Sequence, residues 1–194
     1  MIIIRESSAS STLFLYLYTQ LLQMQEAKIR YYKDKLNKYG AFKSMFSFDA
    51  LPQYIVKTWK PFTDSAVRKE YETSIKYPDL FAKITKVNWD KRWLAQEKLD
   101  TDRVQKELDE LAEVLDLNYP SEVTGWLEML AVNKNEQKKA IEEVKAEAPE
   151  KVEMFKRWID FFTDCMQITT KYVLDLNPGN MGYDKEGNLK LLDI

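Results

Sequence analysis

No histidine occurs anywhere in the 194 residues. That absence removes every His-containing catalytic triad, every imidazole base and every His-ligated metal site. A single Cys permits neither an internal disulfide nor a CxxC zinc site, and it fits a reducing compartment. Charge of one sign is not in excess: the net charge of -2 gives no broad support for nucleic-acid binding. Long hydrophobic runs are missing too. The apolar stretch Leu13 to Met24 is broken by Thr19, Gln20 and Gln23, and falls short of the roughly 20 residues that cross a bilayer. Met1-Ile2-Ile3-Ile4-Arg5 is too short for a secretory signal core. The expectation is a cytoplasmic chain with neither a membrane nor a nucleic-acid partner. What is present is 45% apolar and 31% charged residues in the length of one ordinary domain, enough for a sizeable core. Any catalysis must come from Asp, Glu, Lys, Asn and backbone groups. Glycine is scarce, with five in all, so the place of each one is informative.

Three regions differ in pattern. Residues 1–37 are expected to form an N-terminal helical extension: from Ser11 to Lys38 there is no Gly or Pro, Leu17, Leu21 and Met24 fall at helical spacing, and a basic run Lys28 to Lys38 follows. Packing on the domain is the plain reading, a partner surface the other. Residues 38–100 alternate short aromatic and β-branched runs with turn residues. Strands are expected at Phe42 to Phe48, Gln53 to Trp59, Ala82 to Val87 and Arg92 to Lys98, the last two joined by Asn88-Trp89-Asp90-Lys91. One helix interrupts them, with Thr63 to Ser65 as N-caps and Val67, Tyr71, Ser74 and Ile75 on one face, before Pro78 stops it. The result is a small antiparallel sheet with one inserted helix.

Residues 101–194 open with helices. Val104, Leu108, Leu111 and Leu115 recur at three or four residues, and Ser121 is expected to cap a segment bearing Val123, Leu127 and Leu130. Within the charge-rich Asn133 to Ala148, Glu136 to Glu147 reads as a solvated helix face, with coiled-coil docking as the alternative. Pro149 then opens a helix striped by Val152, Phe155, Ile159, Phe162 and Met166. From Tyr172 onward come three of the five glycines. A tight loop Asp175-Leu176-Asn177-Pro178-Gly179-Asn180 leads into a hairpin with strands Met181 to Tyr183 and Leu189 to Leu192 about the turn Asp184 to Asn188. Asp175, Asn180 and Asp193 are thereby three oxygen donors gathered by a loop and a hairpin. Such donors suit a hard divalent cation carrying phosphates, with one carboxylate left to orient a hydroxyl. Asp, Asn, Pro and Gly are equally the ordinary residues of turns, so this spacing alone leaves both readings open.

The order of the other segments adds to it. Asp175 to Asn180 followed by Gly187-Asn188-Leu189-Lys190-Leu191-Leu192-Asp193 resembles the catalytic loop and metal-binding Asp segment of the protein-kinase-like superfamily. Upstream, Lys38-Tyr39-Gly40-Ala41-Phe42-Lys43-Ser44-Met45 resembles its glycine-rich loop, keeping a middle glycine as Gly40 and a tip aromatic as Phe42. Tyr54-Ile55-Val56-Lys57 resembles the strand with the phosphate-binding lysine. Glu70 sits where the family places the glutamate paired with that lysine, with Glu72 as the alternative, and Trp93 to Leu99 resembles the last small-lobe strand running into the hinge.

The resemblance, over Lys38 to Asp193, implies an α+β protein-kinase-like fold: a small antiparallel β-sheet lobe with one inserted helix, then a mainly helical, reduced large lobe. It implies ATP and Mg as cofactors. Gly40, Phe42, Lys57, Glu70, Glu97 and Leu99 would hold the nucleotide, the last two through the hinge backbone; Asn180 and Asp193 would bind the metal. Asp175 would orient or accept the proton of the attacking hydroxyl, with Lys57 and Asn177 assisting. Departures are specific: Val173 stands where the family usually has His or Tyr, Leu174 where it has Arg, Asn177 where protein kinases have Lys, and two of three loop glycines are gone. The sequence ends at Asp193-Ile194, before the usual Phe-Gly and the activation segment. That minimal form resembles bacteriophage-type Ser/Thr kinases, and implies protein substrates of a bacterial host; a homo-oligomer is one arrangement that fits it, and the sequence leaves open whether a second copy supplies the missing substrate platform. Two other functions fit the same residues: a pseudokinase or kinase-like binding protein that occupies a partner, and a small-molecule kinase of the aminoglycoside type.

Overall fold

A computed structural model describes residues 43–47, 52–169 and 172–193. The expected N-terminal helix, Gly40 and Phe42 lie outside the described residues. Within them the chain is α+β. Strands β1 (Lys43–Ser47), β2 (Tyr54–Trp59), β3 (Ile84–Asn88) and β4 (Trp93–Glu97) form an antiparallel sheet in the order β1-β2-β4-β3. Helix α1 (Asp64–Lys76) lies between β2 and β3 in sequence and packs on the sheet through Val67, against Trp59 and Leu94. Alternation along β2 sets Ile55, Lys57 and Trp59 on one face, so a lysine shares a surface with two apolar neighbours. Lys57 is paired in register with Leu94 of β4 and Met45 of β1, which places it mid-sheet.

Four further helices follow: α2 (Thr101–Val114), α3 (Pro120–Val132), α4 (Lys134–Glu147) and α5 (Val152–Thr169). Their shared core is built from Leu108, Leu111, Val123, Leu127, Phe155 and Phe162, all fully buried. The 3-4-3-4 stripe on α5 is the reason it sits centrally, although its last member, Met166, is only half-buried. Strands β5 (Met181–Tyr183) and β6 (Leu189–Leu191) make the terminal hairpin. Gly187 closes its turn at φ +87°, a conformation that favours glycine.

Three sequence expectations need correction. The buried face of α1 is Val67, Glu70, Thr73 and Ser74, whereas Ile75 is 61% exposed. A polar face can be buried because Glu70 meets Lys57, and the Thr73 and Ser74 hydroxyls donate to the backbone carbonyls of Lys69 and Tyr71. Secondly, none of Thr63 to Ser65 caps α1 with its side chain; Thr63 is at the cap position, but its hydroxyl donates back to Lys60 O. Ser121 does not cap α3 either, since Pro120 already occupies the first turn and Tyr119 is the cap residue. Thirdly, β3 starts at Ile84 rather than Ala82, because the chain before it bonds the hairpin: Leu191 N donates to Leu80 O (2.7 Å) and Ala82 N to Leu191 O (2.9 Å). On the hairpin's other side, Asp100 and Tyr183 exchange both backbone bonds, at 2.8 and 3.1 Å. The hairpin is thus gripped by the two segments that leave the small sheet.

Candidate functional site

Lys57 Nζ sits at the centre of the site. It is fully buried, and donates to Glu70 Oε1 at 3.2 Å, to Leu192 O at 2.6 Å and to Asp193 Oδ1 at 2.7 Å. A buried ammonium costs several kcal/mol unless charges and acceptors surround it, and here two carboxylates and a carbonyl do so. Each partner arrives by a different route. Glu70 comes from the buried face of α1, 13 residues along the chain, and is 1% exposed; Glu72, the alternative, lies on the exposed side. Asp193 lies two residues past the end of β6 and keeps its carboxylate 28% exposed.

The loop Asp175 to Asn180 joins this centre through the backbone. Leu192 N donates to Asn180 O at 2.8 Å, one residue before Asp193. Asn180 Nδ2 in turn donates to Asp175 Oδ2 at 2.7 Å. Asn177 shapes the loop: its Oδ1 accepts from Gly179 N (3.0 Å) and its carbonyl from Asn180 N (2.9 Å). Two side-chain groups, Glu70–Lys57–Asp193 and Asn180–Asp175, are therefore tied to each other by the backbone bond from Leu192 N to Asn180 O, across the sheet, the hairpin and the loop. The structure does not bring Glu97 and Leu99 into it as side chains. Glu97 Oε1 accepts from Lys83 N (2.8 Å), and Leu99 is buried in an apolar cluster with Ala82 and Leu192.

Among the described residues, no three Asp, Glu or Cys side chains converge as a metal cluster. A magnesium ion bound with a nucleotide does not require one; one carboxylate and an amide oxygen suffice when phosphates and water complete the octahedron. The donors fit that pattern. Asn180 uses its Nδ2 on Asp175, which leaves Oδ1 for a cation, and Asp193 presents a part-exposed carboxylate. The one positive and three negative side chains also leave a net negative charge suited to a divalent ion.

Two buried polar side chains, one at the site and one outside it, escaped the sequence reading. Gln96, 1% exposed, donates its Nε2 to Leu192 O (3.2 Å) and Ala82 O (3.3 Å), and so fixes the carbonyl that Lys57 also uses. Its signal was an amide inside the otherwise apolar run Trp93-Leu94-Ala95. The other is Glu107, on the buried stripe of α2 between Val104 and Leu108. It accepts from Arg103 Nε, Arg157 Nη2 and Trp158 Nε1, each at 3.0 Å, and from the Tyr183 hydroxyl. Burial alone would raise the Glu107 carboxyl, but the bonds from Tyr183, Arg103, Trp158 and Arg157 outweigh it and hold it below the ordinary range. Burial and the bond to Glu107 together push the Tyr183 phenol up. The lone Cys165 is buried, which pushes its thiol up to about 12, so it is no nucleophile. A cavity of about 440 Å³ opens elsewhere, between the end of α1, α5 and the β5–β6 turn; none of the five site residues lines it. No described helix is long and apolar enough to cross a membrane.

No protein-family model matches the chain, and no curated protein matches it in sequence. A functional reading rests on the residues and their geometry.

Proposed function

We propose that this chain is an ATP-dependent phosphotransferase of protein-kinase-like fold that phosphorylates Ser/Thr hydroxyls of proteins, in the manner of minimal bacteriophage kinases. The observation that carries the reading is that Lys57 bonds both Glu70 and Asp193, and that the three are held by the Leu192 N–Asn180 O backbone bond beside the bonded pair Asn180 and Asp175. Phosphoryl transfer needs little covalent help from a protein, and positioning with charge neutralisation does most of the work. Lys57, held by Glu70, would contact the α- and β-phosphates. Asp193 and Asn180 would hold magnesium, whose charge would neutralise the phosphates. Asp175, exposed at the loop, would orient the acceptor hydroxyl and take its proton as that oxygen bonds to the γ-phosphorus and the bond to the ADP oxygen breaks. Asn177 engages its Oδ1 in the turn, so its Nδ2 would donate to the transferred group with less stabilisation than a lysine.

The test is transfer of label from γ-labelled ATP, with magnesium, to the protein itself or to a bacterial lysate. Wild type is expected to label protein, and Asp175→Ala to lower the rate by at least about a hundredfold. Equal labelling by both, or none by either, would sink the reading. A kinase-like binding protein is the rival, favoured by the fact that Lys57 already has three protein acceptors. A thermal shift separates them: magnesium and ATP raise the melting temperature only if the folded site binds them.

A further inference from the structure

A lysine ammonium has three N–H donors. Glu70 Oε1, Leu192 O and Asp193 Oδ1 engage all three in Lys57. A phosphate oxygen can therefore reach this lysine only by displacing one of them. Glu70 is 1% exposed on the packed face of α1, so it has little room to leave. The Leu192 carbonyl is backbone, held from one side by Gln96 Nε2 and anchored through its own N–H to Asn180 O. Asp193 is different: its carboxylate is 28% exposed and follows the end of β6.

We infer that the Lys57–Asp193 ion pair is a latch, released when Asp193 turns to a divalent cation and hands its place on the ammonium to a nucleotide phosphate. The inference rests on the magnesium–ATP reading above and adds a coupling that this reading does not require. Metal and nucleotide then favour each other's binding, because each stabilises the same parted arrangement, and the coupling is reciprocal. Without metal, the nucleotide must compete with Asp193 for the lysine.

Equilibrium binding of ATP to the full chain, by calorimetry in excess magnesium and in EDTA, tests it without any turnover. Wild type is expected to bind ATP at least tenfold more weakly in EDTA. Asp193→Asn keeps an oxygen near Lys57 but not the charge, and is expected to bind metal-free ATP about tenfold tighter than wild type. Asp175→Asn removes a neighbouring carboxylate that does not touch Lys57, and should gain less than twofold. The gain from Asp193→Asn should also vanish in a Lys57→Met/Glu70→Gln background, which removes the buried pair together so that no lone charge is left inside. Circular dichroism melts establish that each variant is folded. The latch is overturned if Asp193→Asn gains nothing in EDTA, if Asp175→Asn gains as much, or if the gain survives loss of Lys57. In those cases magnesium-dependent ATP binding by wild type would still stand. If wild type binds no ATP with magnesium, the nucleotide reading fails and the latch fails with it.

Discussion

Among the described residues, Glu107 is the most heavily engaged single side chain outside the candidate site. It joins α2 to α5 through Arg157 and Trp158, and to β5 through the Tyr183 hydroxyl, while the Arg103 guanidinium covers the Tyr183 ring at 3.8 Å. Removing one partner of a buried charge pair leaves the others uncompensated, so Glu107→Ala is expected to destabilise the fold by about 3 kcal/mol in urea unfolding. The pH dependence has a definite sign. The folded Glu107 carboxyl lies below its ordinary 4.5, so its contribution is present above that value and is lost as pH falls through the lower folded value. The stability gap between wild type and Glu107→Gln should therefore narrow below about pH 4.5; a gap that widens on acidification would contradict the assignment.

At the scale of elements, two glycines make opposite predictions. Gly125 lies inside α3, and a Cβ added there meets nothing within 4 Å. Gly125→Ala should stabilise by about 0.5–1 kcal/mol through helix propensity alone, read as a higher melting temperature. Gly182 lies in β5, where a Cβ would run into the Leu99 side chain and the Asp100 backbone. Gly182→Ala should destabilise by about 1–3 kcal/mol as the hairpin is forced away. Elements were the most legible part of the sequence. Period-two runs bounded by turn residues gave all six described strands to within about two residues, because alternation and glycine placement are local signals. The face of α1 was misjudged because what decides it is not local. Glu70 is buried by a lysine 13 residues away and Ile75 is left outside, so apolar spacing alone favoured the wrong side. The same limit applied to the site. Asp175 and Asn180 could be read from one loop, whereas Gln96 and the Leu192 carbonyl became partners only once a strand and a hairpin met.

For the whole molecule, the hairpin is the joint. Its strands bond residues 80–82 on one side and Asp100 on the other, and the part-buried Lys190 Nζ donates to Pro78 O at 2.8 Å. The amides of Ala82, Asp100, Tyr183 and Leu191 should accordingly exchange with solvent as one cooperative unit, with similar free energies of opening in native-state hydrogen exchange. Independent exchange on the two sides would show that the grip is not shared. The same joint has a consequence in time. Leu192, whose carbonyl takes the Lys57 ammonium, is separated from it by 135 residues of chain. A chain being synthesised therefore carries its lysine through 135 further residues before the segment that completes the site is made. Contacts of such long sequence separation form late and slowly. An incomplete polypeptide, however well its sheet and helices have formed, holds a lysine with no Asp193 beside it, so the assembled site is confined to chains whose synthesis has passed the hairpin.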